Sequence, residues 1–218
     1  MTEDEAKAWL RSRFDVPRET WDRLDSYVAM LLEEMDHQNL IAESTREHIW
    51  ARHIVDSAQL LTLVPEPAAD ASWIDLGSGA GLPGMVVAIL SGYHVTMIEM
   101  RRKRIDFLHQ VVGALGLANA SVFGGKVEQA RLDTPATVVS ARAYAPMEKL
   151  IASAAHLTDF STLWVLPKGQ NYKNELEIAR TLWQSDTRVE GSLTAPDSAI
   201  LVLTHVRPHV RRRRDKDI

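Results

Sequence analysis

The chain of 218 residues is 45% apolar and 25% charged and has no cysteine, which excludes disulfides, thiolate metal sites and cysteine nucleophiles. It is long enough for one α/β domain with an extension and short for two full domains. Net charge is −4, yet residues 207–218 hold Arg207, Arg211, Arg212, Arg213, Arg214 and Lys216 against Asp215 and Asp217, a net of +4 that leaves −8 on the body. That asymmetry reads either as a solvated tail or as a basic arm for a polyanion. The opening residues, MTEDEAKAW, lack the basic-then-apolar order of a secretory leader, and no apolar run approaches the ~20 residues that span a bilayer, so a cytoplasmic protein is expected.

Residues 1–66 read as a helical extension. Ala29 to Leu32, Met35, Leu40 and Ile41 lie at helical spacings, and Thr45 with Glu47 and His48 opens a predicted helix whose apolar stripe is Ile49, Ile54, Val55, Ala58 and Leu61. Pro65 and Pro67 end it. From Ser72 the texture changes to short apolar runs, with predicted strands at 73–76, 95–98, 121–123, 138–140 and 163–166. Predicted helices lie near 84–91, 101–116, 145–156 and 171–185. Strands alternating with helices imply a parallel sheet with right-handed crossovers. Predicted strands at 188–193 and 199–206 are separated only by 194–198, a gap that suits an antiparallel hairpin at the sheet edge. The chain therefore divides into a helical extension (1–66), an α/β domain (67–206) and a basic tail (207–218).

The central motif is Asp75-Leu76-Gly77-Ser78-Gly79-Ala80-Gly81-Leu82-Pro83-Gly84, directly after the first strand and opening a helix. Glycines at alternate positions let backbone approach a ligand closely, and ligands of open α/β sheets bind at the carboxyl ends of such strands. Gly79 to Gly84 also satisfies the dinucleotide pattern G-x-G-x-x-G, with Glu99 about twenty residues on, so a nicotinamide-dependent oxidoreductase is the competing reading. Three features favour S-adenosylmethionine. Pro83 has no N–H for a pyrophosphate. Asp75 would repel a pyrophosphate and suits the cationic ammonium and sulfonium. About seventy residues precede the first strand. Glu99 is expected to take the ribose hydroxyls and Val127 with Glu128 the adenine side, while Ser78, Gly79 and Gly81 shape the turn.

These residues together resemble the ribosomal small-subunit methyltransferase G family, also called glucose-inhibited division protein B, over roughly residues 35 to 206. The resemblance is carried by Asn39-Leu40-Ile41-Ala42, Arg52-His53-Ile54-Val55-Asp56-Ser57, the Asp75–Gly84 turn, Glu99 with Lys103-Arg104 and Phe107-Leu108, Ser140-Ala141-Arg142-Ala143, and Pro167-Lys168-Gly169. It implies a Rossmann-like methyltransferase fold and methylation of N7 of one guanine, at position 527 of 16S ribosomal RNA. It also implies S-adenosylmethionine contacts at Gly77, Leu82, Val127-Glu128 and Arg142. The family usually has Arg-Ala-Glu where this chain has Lys126-Val127-Glu128, which leaves a backbone contact at 127 in place but removes the guanidinium at 126.

The residue types agree with a ring-nitrogen target. Guanine N7 carries an exposed lone pair and needs no general base. There is no cysteine for attack on a pyrimidine ring. Ser140-Ala141-Arg142-Ala143-Tyr144 follows the fourth strand in place of the Asn/Asp-Pro-Pro-aromatic motif of exocyclic-amine enzymes. Arg142 and Lys168, at the ends of the fourth and fifth strands, are the expected catalytic positioning residues. Asn39, Arg52, His53, Arg101, Arg102, Lys103, Arg104, Lys168, Arg207 and Arg211–Arg214 are the candidate RNA contacts. A monomer with no metal and no membrane partner is expected, acting on 16S RNA or the small subunit. A ribosome-assembly factor that binds cofactor and RNA without turnover is the non-enzymatic alternative.

Overall fold

The computed structural model describes residues 1–209. Helix α1 (Glu3–Arg13) opens with a capping box: Glu5 N–H donates to Thr2 Oγ1 at 3.2 Å and Thr2 N–H to the Glu5 carboxylate at 2.8 Å. Helix α2 (Arg18–Glu34) starts behind Pro17 and buries Leu24, Tyr27, Val28 and Leu31, one stripe at 3.6-residue spacing. The helix predicted after Thr45 is a run of changing pitch. It comprises a 3₁₀ stretch (Glu43–His48), a π stretch (Trp50–Val55), the single α turn α3 (Asp56–Ala58) and a second 3₁₀ stretch (Gln59–Leu63). Glu3 holds this run from outside. Its carboxylate accepts from the amides of Trp50 and Ala51, each at 3.0 Å, so α1 satisfies donors that a helix start leaves open.

Seven strands follow: β1 (Ser72–Leu76), β2 (His94–Glu99), β3 (Ala120–Gly124), β4 (Val138–Ala141), β5 (Leu163–Lys168), β6 (Trp183–Gly191) and β7 (Ala199–Pro208). They form one sheet in the order β3-β2-β1-β4-β5-β7-β6, parallel from β3 to β5, with β7 antiparallel to both of its neighbours. The helices between them are α4 (Gly84–Leu90), α5 (Arg102–Leu115), α6 (Met147–Ala154) and α7 (Tyr172–Arg180). This is the α/β sheet with an antiparallel edge that the alternating pattern predicts.

Two boundaries differ from the sequence reading. Helix α7 stops at Arg180 and not near 185, because Trp183 and Gln184 pair with Pro208 and Arg207 on β7. That ladder overrides helical spacing. The basic segment expected to begin at 207 accordingly starts inside the sheet.

The core lies in two layers. One joins α1, α2 and the irregular run to α4 and α5, and the other packs α6 and α7 on the opposite face. Tyr27 ties the extension to the sheet by donating its hydroxyl to the Ala80 carbonyl at 2.9 Å, a fully buried bond. Among the described residues no helix is long and apolar enough to cross a membrane.

Candidate active site

The glycine turn sits between the ends of β1 and β2, and nearly all of its donors are used internally. The amides of Gly77 and Ser78 donate to the Ile98 carbonyl at 2.8 and 3.1 Å, and those of Gly81 and Leu82 to the Ser78 carbonyl. Gly79 N–H donates to Glu99 Oε2 at 2.9 Å and Gly84 N–H to Asp75 Oδ2 at 3.1 Å. A pyrophosphate is held by free amides pointing at it. These six point into the protein. At Gly77, whose φ is +66°, the absence of a side chain lets the Tyr144 ring pack on the turn: a Cβ there would stand 2.5 Å from Tyr144 Cδ2.

Asp75 departs from its expected role. It is 0% exposed, and its second oxygen accepts from Ser140 Oγ at 2.8 Å, which in turn accepts from Trp73 Nε1 at 2.8 Å. Burial pushes its pKa up, while Ser140, Ser78, the Gly84 amide and Arg142 act in the opposite direction. The carboxylate is a brace beneath the turn, turned away from any ligand above it.

Glu99 is also a clamp. Besides the Gly79 amide it accepts from the amides of Met100 and Arg101 at 2.8 and 2.9 Å, so it fastens the turn to the start of α5. That arrangement answers the clash between Arg101-Arg102-Lys103-Arg104 and the helix dipole: a buried carboxylate stands at the positive end. Arg104 reaches back over the turn, with a guanidinium nitrogen 3.9 Å from Glu99 Oε2 and another donating to the Asn39 carbonyl at 3.2 Å. It therefore belongs to the crevice wall. Val127 is buried and Glu128 exposed just past β3, in the loop that Gly125 N–H ties to the Glu99 carbonyl at 2.9 Å.

Register places Arg142 beside the turn, since Ala141 pairs with Leu76 and the next residues are Arg142 and Gly77. Ala143 follows with a left-handed φ of 51°, a strained conformation of the kind concentrated at functional sites. The Arg142 guanidinium donates to His53 Nδ1 at 3.0 Å and lies 3.5 Å from Asp56 Oδ2. A guanidinium has no acceptor, so Nδ1 is the unprotonated nitrogen and Nε2–H points at Thr45 Oγ1, 2.7 Å away. Burial first, then Arg142 and Arg52, depress the His53 pKa to about 3. Asp56 accepts from Thr194 Oγ1 at 2.6 Å, and Arg52 donates to the Thr194 carbonyl at 2.9 Å. His53 is thus a buried neutral support for Arg142 in the wall of the adjoining cavity.

A cavity of about 760 Å³ opens beside this network, at the ends of β4 and β5 and under the β6–β7 connection. Arg52, Arg142, Tyr144, Glu148, Lys168 and Glu175 supply its chemistry. Lys168 is not a free phosphate contact. Its ammonium is bonded to Glu175 Oε2 at 2.8 Å and donates to the Ala145 carbonyl at 3.3 Å, bracing the loop that carries Arg142 and Tyr144.

The other predicted residues scatter. Asn39, Arg101 and Lys103 are exposed near the turn, and Arg102 is ion-paired with Asp106 at 3.0 Å on the surface. Arg207 lies near the carboxyl end of β7, past the start of β5 and opposite the cavity, where it joins Phe160 and His205 in an exposed stack. Arg211–Arg214 lie outside the described residues. Sequence reasoning missed Thr45, Glu148, Glu175 and Thr194. None carries a local signal, because each acts on a partner distant in the chain or in a cavity that only folding creates.

The rRNA small subunit methyltransferase G family model, GidB, matches residues 20–199. A ribosomal RNA small subunit methyltransferase G from Zymomonas mobilis is 48% identical over 95% of this chain and 96% of its own length. Another from Rhizorhabdus wittichii is 49% identical over 95% of each. The solved structure of a SAM-dependent methyltransferase from Aquifex aeolicus superimposes with a TM-score of 0.53 at 12% identity, covering 72% of this chain and 91% of that one, a likeness of fold.

Proposed function

The chain belongs to the rRNA small subunit methyltransferase G family, and from that membership we propose that it transfers the methyl group of S-adenosylmethionine to N7 of one guanine, at position 527 of 16S ribosomal RNA. The observation that carries the cofactor reading is the set of six turn amides already spent inside the protein. Such a turn cannot cradle a pyrophosphate, which disfavours the oxidoreductase reading. It suits a cationic ligand, which needs no amide donors from the turn.

S-adenosylmethionine supplies a methyl group on sulfonium, which is displaced in line by the nucleophile. The residues of this chain bind and orient. Family resemblance sets Gly77 and Leu82 on the methionine side and Val127 and Glu128 on the adenine side, and Glu99 keeps lone-pair capacity for a ribose hydroxyl beside its three amide bonds. Arg142 stands where the crevice meets the cavity, and its remaining donors suit the methionine carboxylate. With the guanidinium locked by His53 and Asp56, little reorganisation is needed when the reactants meet.

No proton has to leave guanine N7, and the groups around Arg142 fit that requirement. His53, the imidazole of the cavity wall, has both nitrogens engaged and a pKa far below neutrality. Nucleoside mass spectrometry of 16S RNA from cells with and without this protein tests the reading. Loss of 7-methylguanosine on deletion is expected, and an unchanged nucleoside profile overturns it. Rescue by wild type but not by Arg142→Ala separates turnover from an assembly role.

A further inference from the structure

The cavity at the ends of β4 and β5 has a charge arrangement that the transfer reaction alone does not explain. Arg142 is held by Asp56, and Lys168 by Glu175. Arg52, at the exposed rim, donates to a backbone carbonyl. Glu148 is different. It stands half-buried in the first turn of α6, lines the cavity, and makes no hydrogen bond or ion pair among the described residues. Neither Arg142 nor Lys168 is engaged with it, so this half-buried carboxylate is open to a donor that enters the cavity.

Tyr144 marks the boundary between the turn and the cavity. Its ring lies against Gly77 and also lines the cavity, so it stands between the cofactor turn and the space beyond. A base whose N7 faces the turn past Tyr144 directs its opposite edge, N1–H and the N2 amino group, into the cavity. Glu148 is the cavity carboxylate that has no partner among the described residues. Those two donors are what a carboxylate's two oxygens accept side by side, and adenine, with an unprotonated N1 and no N2 amino group, offers neither.

We propose that Glu148 is the specificity-determining residue of this site, accepting N1–H and N2–H from the Watson–Crick edge of an extruded guanine. This rests on the guanine-N7 reading above and deepens it. The cavity volume lies within the ~300–1,000 Å³ usual for sites that enclose a small ligand, and a base buried in a duplex or folded loop has to leave its stack to be enclosed. The carboxylate has a second effect. In the transfer N7 donates its lone pair, the carbon–sulfur bond breaks with its electrons staying on sulfur, and the base becomes a cation without losing a proton. A negative charge on the far edge stabilises the positive charge as it develops.

The test uses small subunits reconstituted with guanine or inosine at the target position, methylated by wild-type protein, Glu148→Ala and Glu148→Gln. Inosine keeps N7, O6 and N1–H and lacks only the N2 amino group. Wild type is expected to favour guanine in kcat/KM by about 10–100-fold, the worth of one hydrogen bond to a charged group. Glu148→Ala should bring that ratio close to one with S-adenosylmethionine affinity unchanged, and Glu148→Gln, with a single acceptor, should fall between. Because each ratio compares two substrates on one protein, loss of folded enzyme cancels. An undiminished guanine preference in Glu148→Ala, or no preference in wild type, overturns the proposal. Methylation of neither substrate by wild type, at any position, counts instead against the guanine-N7 reading on which it stands.

Discussion

The glycine turn and the cavity beside it are built in opposite ways. The turn draws mainly on one neighbour: Gly81, Leu82 and Gly84 donate within residues 75–84, while β2 takes the Gly77 and Ser78 amides on the Ile98 carbonyl and the Gly79 amide on Glu99. The cavity is assembled from distance, with Arg142 bonded to a residue 89 positions away and Asp56 to one 138 positions away. The turn needs chiefly the pairing of β1 with β2 to close. A cavity whose charges are paired across the extension, β4 and the β6–β7 connection exists only when all of them are in place. Arg142 and Tyr144 belong to both, which couples the turn to the cavity.

The sharpest way to break the turn is Gly77→Ala. Its methyl group would meet the Tyr144 ring at 2.5 Å from a left-handed backbone, so strain and displaced packing together should cost about 2–4 kcal/mol. Chemical denaturation should register the loss, and calorimetry should show cofactor binding greatly weakened. Full binding with an unshifted midpoint would separate Tyr144 from the turn.

Asp75→Asn cuts the brace beneath it. One amide has to serve both the Gly84 N–H and the Ser140 hydroxyl. With its oxygen on Gly84, the amide NH₂ faces Ser140, whose proton loses its acceptor while Trp73 Nε1 still donates to the same hydroxyl. A buried donor without a partner costs about 1–3 kcal/mol, read as a lower denaturant midpoint. An asparagine variant as stable as wild type would show that the charge contributes nothing to the turn.

The cavity side is sharpened by pH. His53 is held at about 3 in the folded protein, against an ordinary value of 6.5, so below pH 6.5 the unfolded chain binds the proton more readily. Stability from this group is therefore complete above 6.5 and falls as pH drops toward 3, by up to about 1.4 kcal/mol per pH unit. Glutamine can accept from Arg142 and donate to Thr45, so His53→Gln should flatten that slope while keeping the geometry. Equal slopes for the two proteins would exclude a neutral His53 as the support of Arg142.

The alternation of apolar runs and amphipathic helices made the sheet, its parallel half and its antiparallel edge legible, because strand and helix periodicities are local properties of the chain. The Asp75–Gly84 motif was equally legible, since left-handed turns need glycine wherever they occur. The end of α7 was not, because only β7 pairing draws Trp183 and Gln184 into a strand. The same limit applies to single side chains. Asp75 and Glu99 were recognisable as functional carboxylates, but their orientation, one under the turn and the other across it, depends on which amides stand nearby after folding.

The sequence by itself determined the order of elements, the place of the cofactor turn and the presence of Arg142 at a strand end. Tertiary structure alone decided that His53 is a buried support of Arg142 in the cavity wall, that Lys168 is taken by Glu175, and that Glu148 has no partner among the described residues. The physical reason is that hydrogen-bond partnership depends on distance in space, and these pairings join segments whose separation along the chain carries no periodic signal.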